Sequence, residues 1–354
     1  MNTYQLPRTT AFEGTYKGKN THLMTLTNRA GMQIALTDYG ARLVSAMVPD
    51  KHGDLIDVVL GFDSIQKYMQ ADEQYHGATI GRYGNRIAKG EFTLDGKKYT
   101  LAKNNGPNCL HGGLDSFNKK VWDRQVSFQK SVTFYYVSPA GEEGFPGELK
   151  TVVSYELTND NEIIIQFQAT TDAPTIVNLT NHAYFNLNGE GNGDILNHDI
   201  TINATEFVEI NKDQVATGAI LPVQGNSLDF TQPRELSKCI NSTDDQILFA
   251  QGYDHTFINK QPLTQSAAKA YSKQSGIQLD VFTSEPGLHL YTGNFLPSDQ
   301  GKSGRKYRKH GGFCFEAQHY PDSPNHAHFP SVTLVPGDVF KSTIKYKFSI
   351  RKNA

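Results

Sequence analysis

The stretch Ile344-Lys345-Tyr346-Lys347-Phe348-Ser349-Ile350-Arg351 alternates an apolar with a polar side chain from end to end. Successive side chains of an extended backbone point to opposite faces, so this period of two predicts a strand with one face on a core and one in water. Residues 91–101 read as two short strands folded about Asp95-Gly96, a dipeptide that accepts the two positive φ angles of a type I′ turn. Residues 34–36, 57–60, 132–137, 151–157, 162–169 and 332–335 are further strand candidates. No long stretch carries apolar residues at helical spacing, apart from a weak helix at 64–69, and 31 glycines and 15 prolines punctuate the chain at short intervals. The predicted fold class is all-β, a large antiparallel β-sandwich. No linker, composition shift or fixed-period repeat divides the 354 residues, so residues 1–354 are read as a single domain.

Charge narrows the partners. With 34 basic and 36 acidic residues the formal charge is -2, which leaves no electrostatic footprint for nucleic acid or an anionic membrane. A small neutral ligand suits that balance. Cys109, Cys239 and Cys314 are too few and too scattered for a disulfide framework, so a reducing, cytoplasmic setting is expected. Residues 1–20 lack a basic start followed by an apolar run. A chain from which a leader had been removed would read the same.

Several polar clusters break the strand pattern. Gly81-Arg82-Tyr83-Gly84-Asn85-Arg86-Ile87 sets two arginines and an asparagine among glycines that let a ligand approach the backbone. Arg86 could fork onto hydroxyls, or the segment could be a turn with solvated arginines. Asn108-Cys109-Leu110-His111-Gly112-Gly113 places one histidine before a glycine pair at a strand end. Asn178-Leu179-Thr180-Asn181-His182-Ala183-Tyr184-Phe185-Asn186-Leu187 interrupts an aromatic strand with three asparagines and a histidine. Buried polar groups must find partners, so that density means a hydrogen-bonded network or a site. Tyr253-Asp254-His255-Thr256-Phe257 and Tyr291-Thr292-Gly293-Asn294-Phe295, with His289 ahead of the latter, could both be ordinary loops. In Phe313-Cys314-Phe315-Glu316-Ala317-Gln318-His319-Tyr320-Pro321 the carboxyl of Glu316 lies in an apolar run. Desolvation there raises a glutamate above its usual value of about 4.3, which suits a general base. The alternative is a structural ion pair, for instance with Arg86.

Taken together these segments resemble the aldose 1-epimerase, or galactose mutarotase, family, in the family's order from about Ile34 to the C-terminus. The match is carried by Asp38-Tyr39-Gly40-Ala41, Asp57-Val58-Val59-Leu60-Gly61-Phe62, the segment from Gly81 to Ile87, Leu110-His111-Gly112-Gly113, Glu143-Gly144-Phe145-Pro146-Gly147, Asn181-His182 with Asn186-Leu187, Asp254-His255, Tyr291-Thr292-Gly293-Asn294-Phe295 and the segment from Glu316 to Pro324. Each piece is short, and it is their order that makes the match specific. The resemblance implies the large galactose mutarotase-like sandwich and an isomerase acting on free aldoses such as galactose or glucose. It implies Glu316 as catalytic base, His182 as the acid at the ring oxygen and His111 as a partner at that oxygen. Asn85, Arg86 and Asp254 would hold sugar hydroxyls. His289 stands where many relatives carry glutamine, so its contact is expected to be a substrate contact of a different kind.

Such chemistry needs an ionised carboxylate and a protonated imidazole flanking one C1–O5 unit, with no metal and no cofactor. A glycosidase would instead need two carboxyl groups about 5 to 9.5 Å apart, and Asp254 is the only obvious second one. A sugar-binding module would need the hydroxyl contacts without the acid and base. A metal reading of Glu316, His319, His326 and His328 matches no defined spacing, and Ser323-Pro324-Asn325-His326-Ala327-His328-Phe329-Pro330 reads as a proline-bounded loop. The expected partner is one small aldose, with the protein a monomer or homodimer.

Overall fold

The computed structural model describes residues 4–127 and 130–351. Residues 1–3, at the start of the stretch read for a leader, and residues 352–354, at the end of the expected domain, lie outside the described residues. The alternating C-terminal stretch is the strand Phe340–Ile350. Ser342, Ile344, Tyr346 and Phe348 are buried, while Ile350, at the strand's end, is 36% exposed and breaks the pattern. This strand lies inside a nine-strand antiparallel sheet, paired with Glu162–Thr171 on one side and Ile277–Thr283 on the other.

A six-strand antiparallel sheet faces it, in the order Tyr184–Phe185, Phe313–Gln318, Gly287–Tyr291, Asp254–Ile258, Glu206–Ile210 and Ala216–Pro222. The two sheets meet where the Phe185 and Tyr346 rings lie 5.0 Å apart and the Tyr346 hydroxyl donates to the Phe315 carbonyl at 3.0 Å. A four-strand sheet over residues 23–57 adds Ile34, Leu36 and Leu43 to the same apolar core. The sandwich expected from the period of two is therefore the observed architecture. What the period does not reveal is that Phe313–Gln318 is buried along its whole length. Phe313, Phe315 and Ala317 enter the core, so by alternation Cys314, Glu316 and Gln318 face the other side of the sheet, which is itself covered.

The 91–101 hairpin forms as Glu91–Leu94 and Lys97–Thr100, with Asp95 and Gly96 at φ 51° and 75°. The candidates at 34–36, 132–137, 151–157 and 162–169 lie within Gln33–Thr37, Ser131–Ser138, Leu149–Leu157 and Glu162–Thr171. The candidate at 57–60 needs correction, because the strand is Leu55–Asp57. The Asp57 carboxylate accepts the amide N–H of Ala46 at 3.0 Å and of Val59 at 3.2 Å, taking bonds that a continuing ladder would use. At 332–335 only Thr333–Leu334 pairs. The weak helix forms as Ile65–Gln70 with Ser64 as its N-cap, and a second short helix, Asp245–Ala250, was not anticipated. Among the described residues no helix is long and apolar enough to cross a membrane.

Candidate active site

Sheet register assembles one wall of the site. Glu316 sits directly opposite His289 on the neighbouring strand, and Tyr291 opposite both Cys314 and Asp254, so these side chains leave the same face. Above them lies a pocket of about 290 Å³, lined by all seven predicted residues, Asn85, Arg86, His111, His182, Asp254, His289 and Glu316. That size is small for a ligand site and suits a single sugar ring.

The opposite wall comes from the paired strands Arg86–Ile87 and Cys109–Leu110. Asn85, just before the first, and His111, just after the second, have φ 66° and 53° and lock together: the His111 amide donates to the Asn85 carbonyl at 3.2 Å, and the Asn85 amide donates to His111 Nδ1 at 3.1 Å. An amide N–H can only donate, so Nδ1 of His111 is an acceptor and its proton sits on Nε2. Burial, with the charges of His182 and Arg86, holds His111 well below the usual imidazole range. His111 is a neutral donor.

His182 follows the short strand Thr180–Asn181 and is buried among the rings of Tyr75, His111, Tyr184 and Tyr291. Its Nε2 lies 3.5 Å from Glu316 Oε1. Glu316 Oε2 has no protein partner, an unmet acceptor that costs about 1–3 kcal/mol unless a ligand hydroxyl fills it. Burial pushes Glu316 well above the usual carboxylate range, helped by the charges of Asp254 and Glu73, and pushes His182 down to about 3. Burial thus favours the uncharged form of each group, a protonated Glu316 and a neutral His182. The sequence reading of a raised Glu316 agrees; its protonated His182 is the minor form of the resting site.

Asp254 behaves oppositely. Against burial, the His289 Nε2 bond at 2.6 Å and the charge of Arg86, 3.5 Å away, hold it well below the usual range. His289 Nδ1 meets Thr256 Oγ1 at 2.9 Å, so both nitrogens are engaged. Arg86 is spanned between Asn105, Gln214 and Asp254. It does not pair with Glu316, the structural alternative raised by the sequence.

Much of the rest of the polar sequence is support. Asn178 and Asn181 donate to the carbonyls of Gly84 and Gly77, and Asn186 donates to that of Gly311. The asparagine-rich segment is thus a network that carries one site histidine. Arg82 is buried, donating to the carbonyls of Ser138, Pro139, Pro146 and Gly147, and the Glu143 carboxylate accepts the Leu114 and Asp115 amides beside the His111 loop. His319 bonds Glu285 at 2.6 Å, His326 lies 3.4 Å from Asp322 and His328 donates to the Gly218 carbonyl at 2.8 Å. None of the three lines the pocket, so they form no metal centre with Glu316. Sequence reasoning missed Glu73, Tyr75, Asn105 and Gln214, which line the pocket from loops with no periodic signal.

A family model described as aldose 1-epimerase matches residues 22–347. The chain belongs to the aldose 1-epimerase family. It is 44% identical over 321 residues to the galactose mutarotase of Bos taurus, covering 90% of this chain and 92% of that protein. It is 38% identical over 335 residues to the aldose 1-epimerase of Escherichia coli strain K12, covering 94% and 96%. Among solved structures, an aldose epimerase homologue from C. elegans superposes with a TM-score of 0.87 at 34% identity, over 94% of this chain and 100% of that one. Galactose 1-epimerase from Lactobacillus acidophilus gives 0.85 at 29% identity, over 96% and 97%. In this aldose 1-epimerase family member, His111, His182 and Glu316 have donor atoms within 4.8 Å of one another. These are the residues that could hold a metal ion, and they are also those a proton-transfer reaction would use.

Proposed function

We propose that the protein interconverts the α and β anomers of free aldoses such as galactose or glucose, with Glu316 and His182 as the acid–base pair. The reading rests on one observation above all, a buried carboxylate and a buried imidazole 3.5 Å apart facing one small pocket. In the reactive form Glu316 is ionised and His182 protonated. Glu316 takes the proton of the C1 hydroxyl, the C1=O bond forms as C1–O5 breaks, and His182 gives its Nε2 proton to O5. The Nε2–H of His111 donates to the same oxygen as charge develops there. Rotation about C1–C2 presents the other face of the aldehyde, and closure returns both protons by the same path.

Burial suits this cycle. Ring opening leaves Glu316 protonated and His182 neutral, the uncharged pair that the desolvated pocket favours. The remaining hydroxyls would fall to Asn85, Arg86 and Asp254. We assign His289 to the sugar contact through Asp254, since one imidazole nitrogen holds that carboxylate. Asp254 is kept ionised, so it lacks the proton a glycosidase acid must give. A non-catalytic sugar-binding module would have no use for a carboxylate and an imidazole driven to share one proton. The free thiols of Cys109, Cys239 and Cys314 suit the cytoplasm, and one core continuous across three sheets suits a single domain. Polarimetry of freshly dissolved α-D-galactose and α-D-glucose tests the reading: the rotation should relax faster with the protein than without it.

A further inference from the structure

Two residues before Glu316 on the same strand stands Cys314, and a period of two turns both towards the pocket face. Residues i and i+2 of a strand lie about 7 Å apart, a span that brackets an imidazole ring. His182 occupies that span. Cys314 Sγ lies 3.6 Å from His182 Nδ1, while Glu316 Oε1 lies 3.5 Å from Nε2. Both Cys314 and His182 are buried, so water does not compete for Nδ1.

On the reading of His182 as the acid, we infer that Cys314 is a positioning residue whose sulfur accepts the Nδ1–H of His182. Nδ1 then keeps its proton in both charge states, and Nε2 alone loses and regains one opposite Glu316. The neutral ring left after ring opening has Nδ1–H and a bare Nε2, which an Nδ1 partner able to accept sustains. A carboxylate in place of Cys314 would also accept, but it would favour the charged ring and make it a poorer acid. Sulfur is a weak acceptor and avoids that. Burial keeps Cys314 a thiol by pushing its pKa up well above the usual range, so no anion stabilises the imidazolium. Tyr75, Tyr184, Tyr291 and His111 pack on the ring, with Asp254, His289, Arg42 and His76 charged or titratable further out; the backbone of His182 itself also accepts from the ring, and among the described residues Cys314 is the side chain that meets Nδ1.

The test combines ¹⁵N NMR of histidine-labelled protein with kinetics of Cys314→Ala, Cys314→Ser and His182→Asn. The expected spectrum places the His182 proton on Nδ1 at neutral pH in the wild type and moves population to Nε2–H in Cys314→Ala. Cys314→Ala should lower kcat by about 10- to 100-fold, as loss of an orienting partner does, with KM little changed. Cys314→Ser, whose hydroxyl accepts more strongly, should recover most of kcat and move the acid limb of the pH profile upward. An Nε2–H tautomer in the wild type, or wild-type kcat in Cys314→Ala, overturns the inference. An active His182→Asn would instead remove the acid role on which it rests. Should Cys314→Ala fail to fold, the wild-type tautomer and Cys314→Ser decide.

Discussion

Glu316 and His182 are ordinary residue types made unusual by where they sit. Water is excluded from both, and burial drives the carboxyl up and the imidazole down, so they share one proton over a wide pH range. The sign follows directly. Below about pH 3 the imidazole gains a second proton for the pair, and the base is lost. Above the raised pKa of Glu316 the shared proton leaves, and the acid is lost. We therefore expect kcat/KM to follow a broad bell, level through the mildly acidic range and falling only outside those two limits. A narrow bell centred between ordinary glutamate and histidine values would contradict the burial argument. The sequence made the burial of Glu316 legible, because it lies among Phe313, Phe315 and Ala317, and left open whether it was a site group or half of an ion pair. It did not make Tyr75 or Gln214 legible, since a loop residue's approach to a pocket is set by tertiary packing and leaves no local pattern.

At the scale of elements, function depends on register and on two tight turns. The pairing of His289 with Glu316 and of Asp254 with Tyr291 places the site groups on one face, and slipping either strand by one residue would send them into the core. The His111 loop is held against the Gly81–Arg82 turn, and Gly112 makes that approach possible. It has φ 87°, and an added Cβ there would strike the Gly81 carbonyl. Gly112→Ala should destabilise the fold by about 1–3 kcal/mol in urea unfolding and lower kcat, because His111 moves with the loop. An unchanged midpoint and rate would show that the close approach is dispensable. Alternating strands such as Glu162–Thr171 were readable from their pattern. The helix Asp245–Ala250 was not; like Ile65–Gln70, which was only weakly readable, it has six residues, under two turns in which to display a period of 3.6.

For the whole molecule, the all-β sandwich and the family could be read before any coordinates, because many short motifs in a fixed order constrain a fold more than any one of them does. The covered second face of the six-strand sheet could not be read, since a strand buried on both sides loses its alternation. That covered face is the floor of the pocket, and the chemistry proposed for it is proton transfer alone. Activity should accordingly survive exhaustive chelation, with metal content followed by elemental analysis; loss restored by added metal would make His111, His182 and Glu316 a metal site instead. The decisive comparison is polarimetry of fresh α-D-galactose with wild-type protein, Glu316→Gln, His182→Asn and the double variant. Each single replacement should lower kcat by about 10²–10⁴, and the double one should cost much less than the sum in free energy, since both serve one transition state. Full activity in a folded Glu316→Gln variant would contradict the mechanism, and strictly additive losses would mean that the two groups act apart.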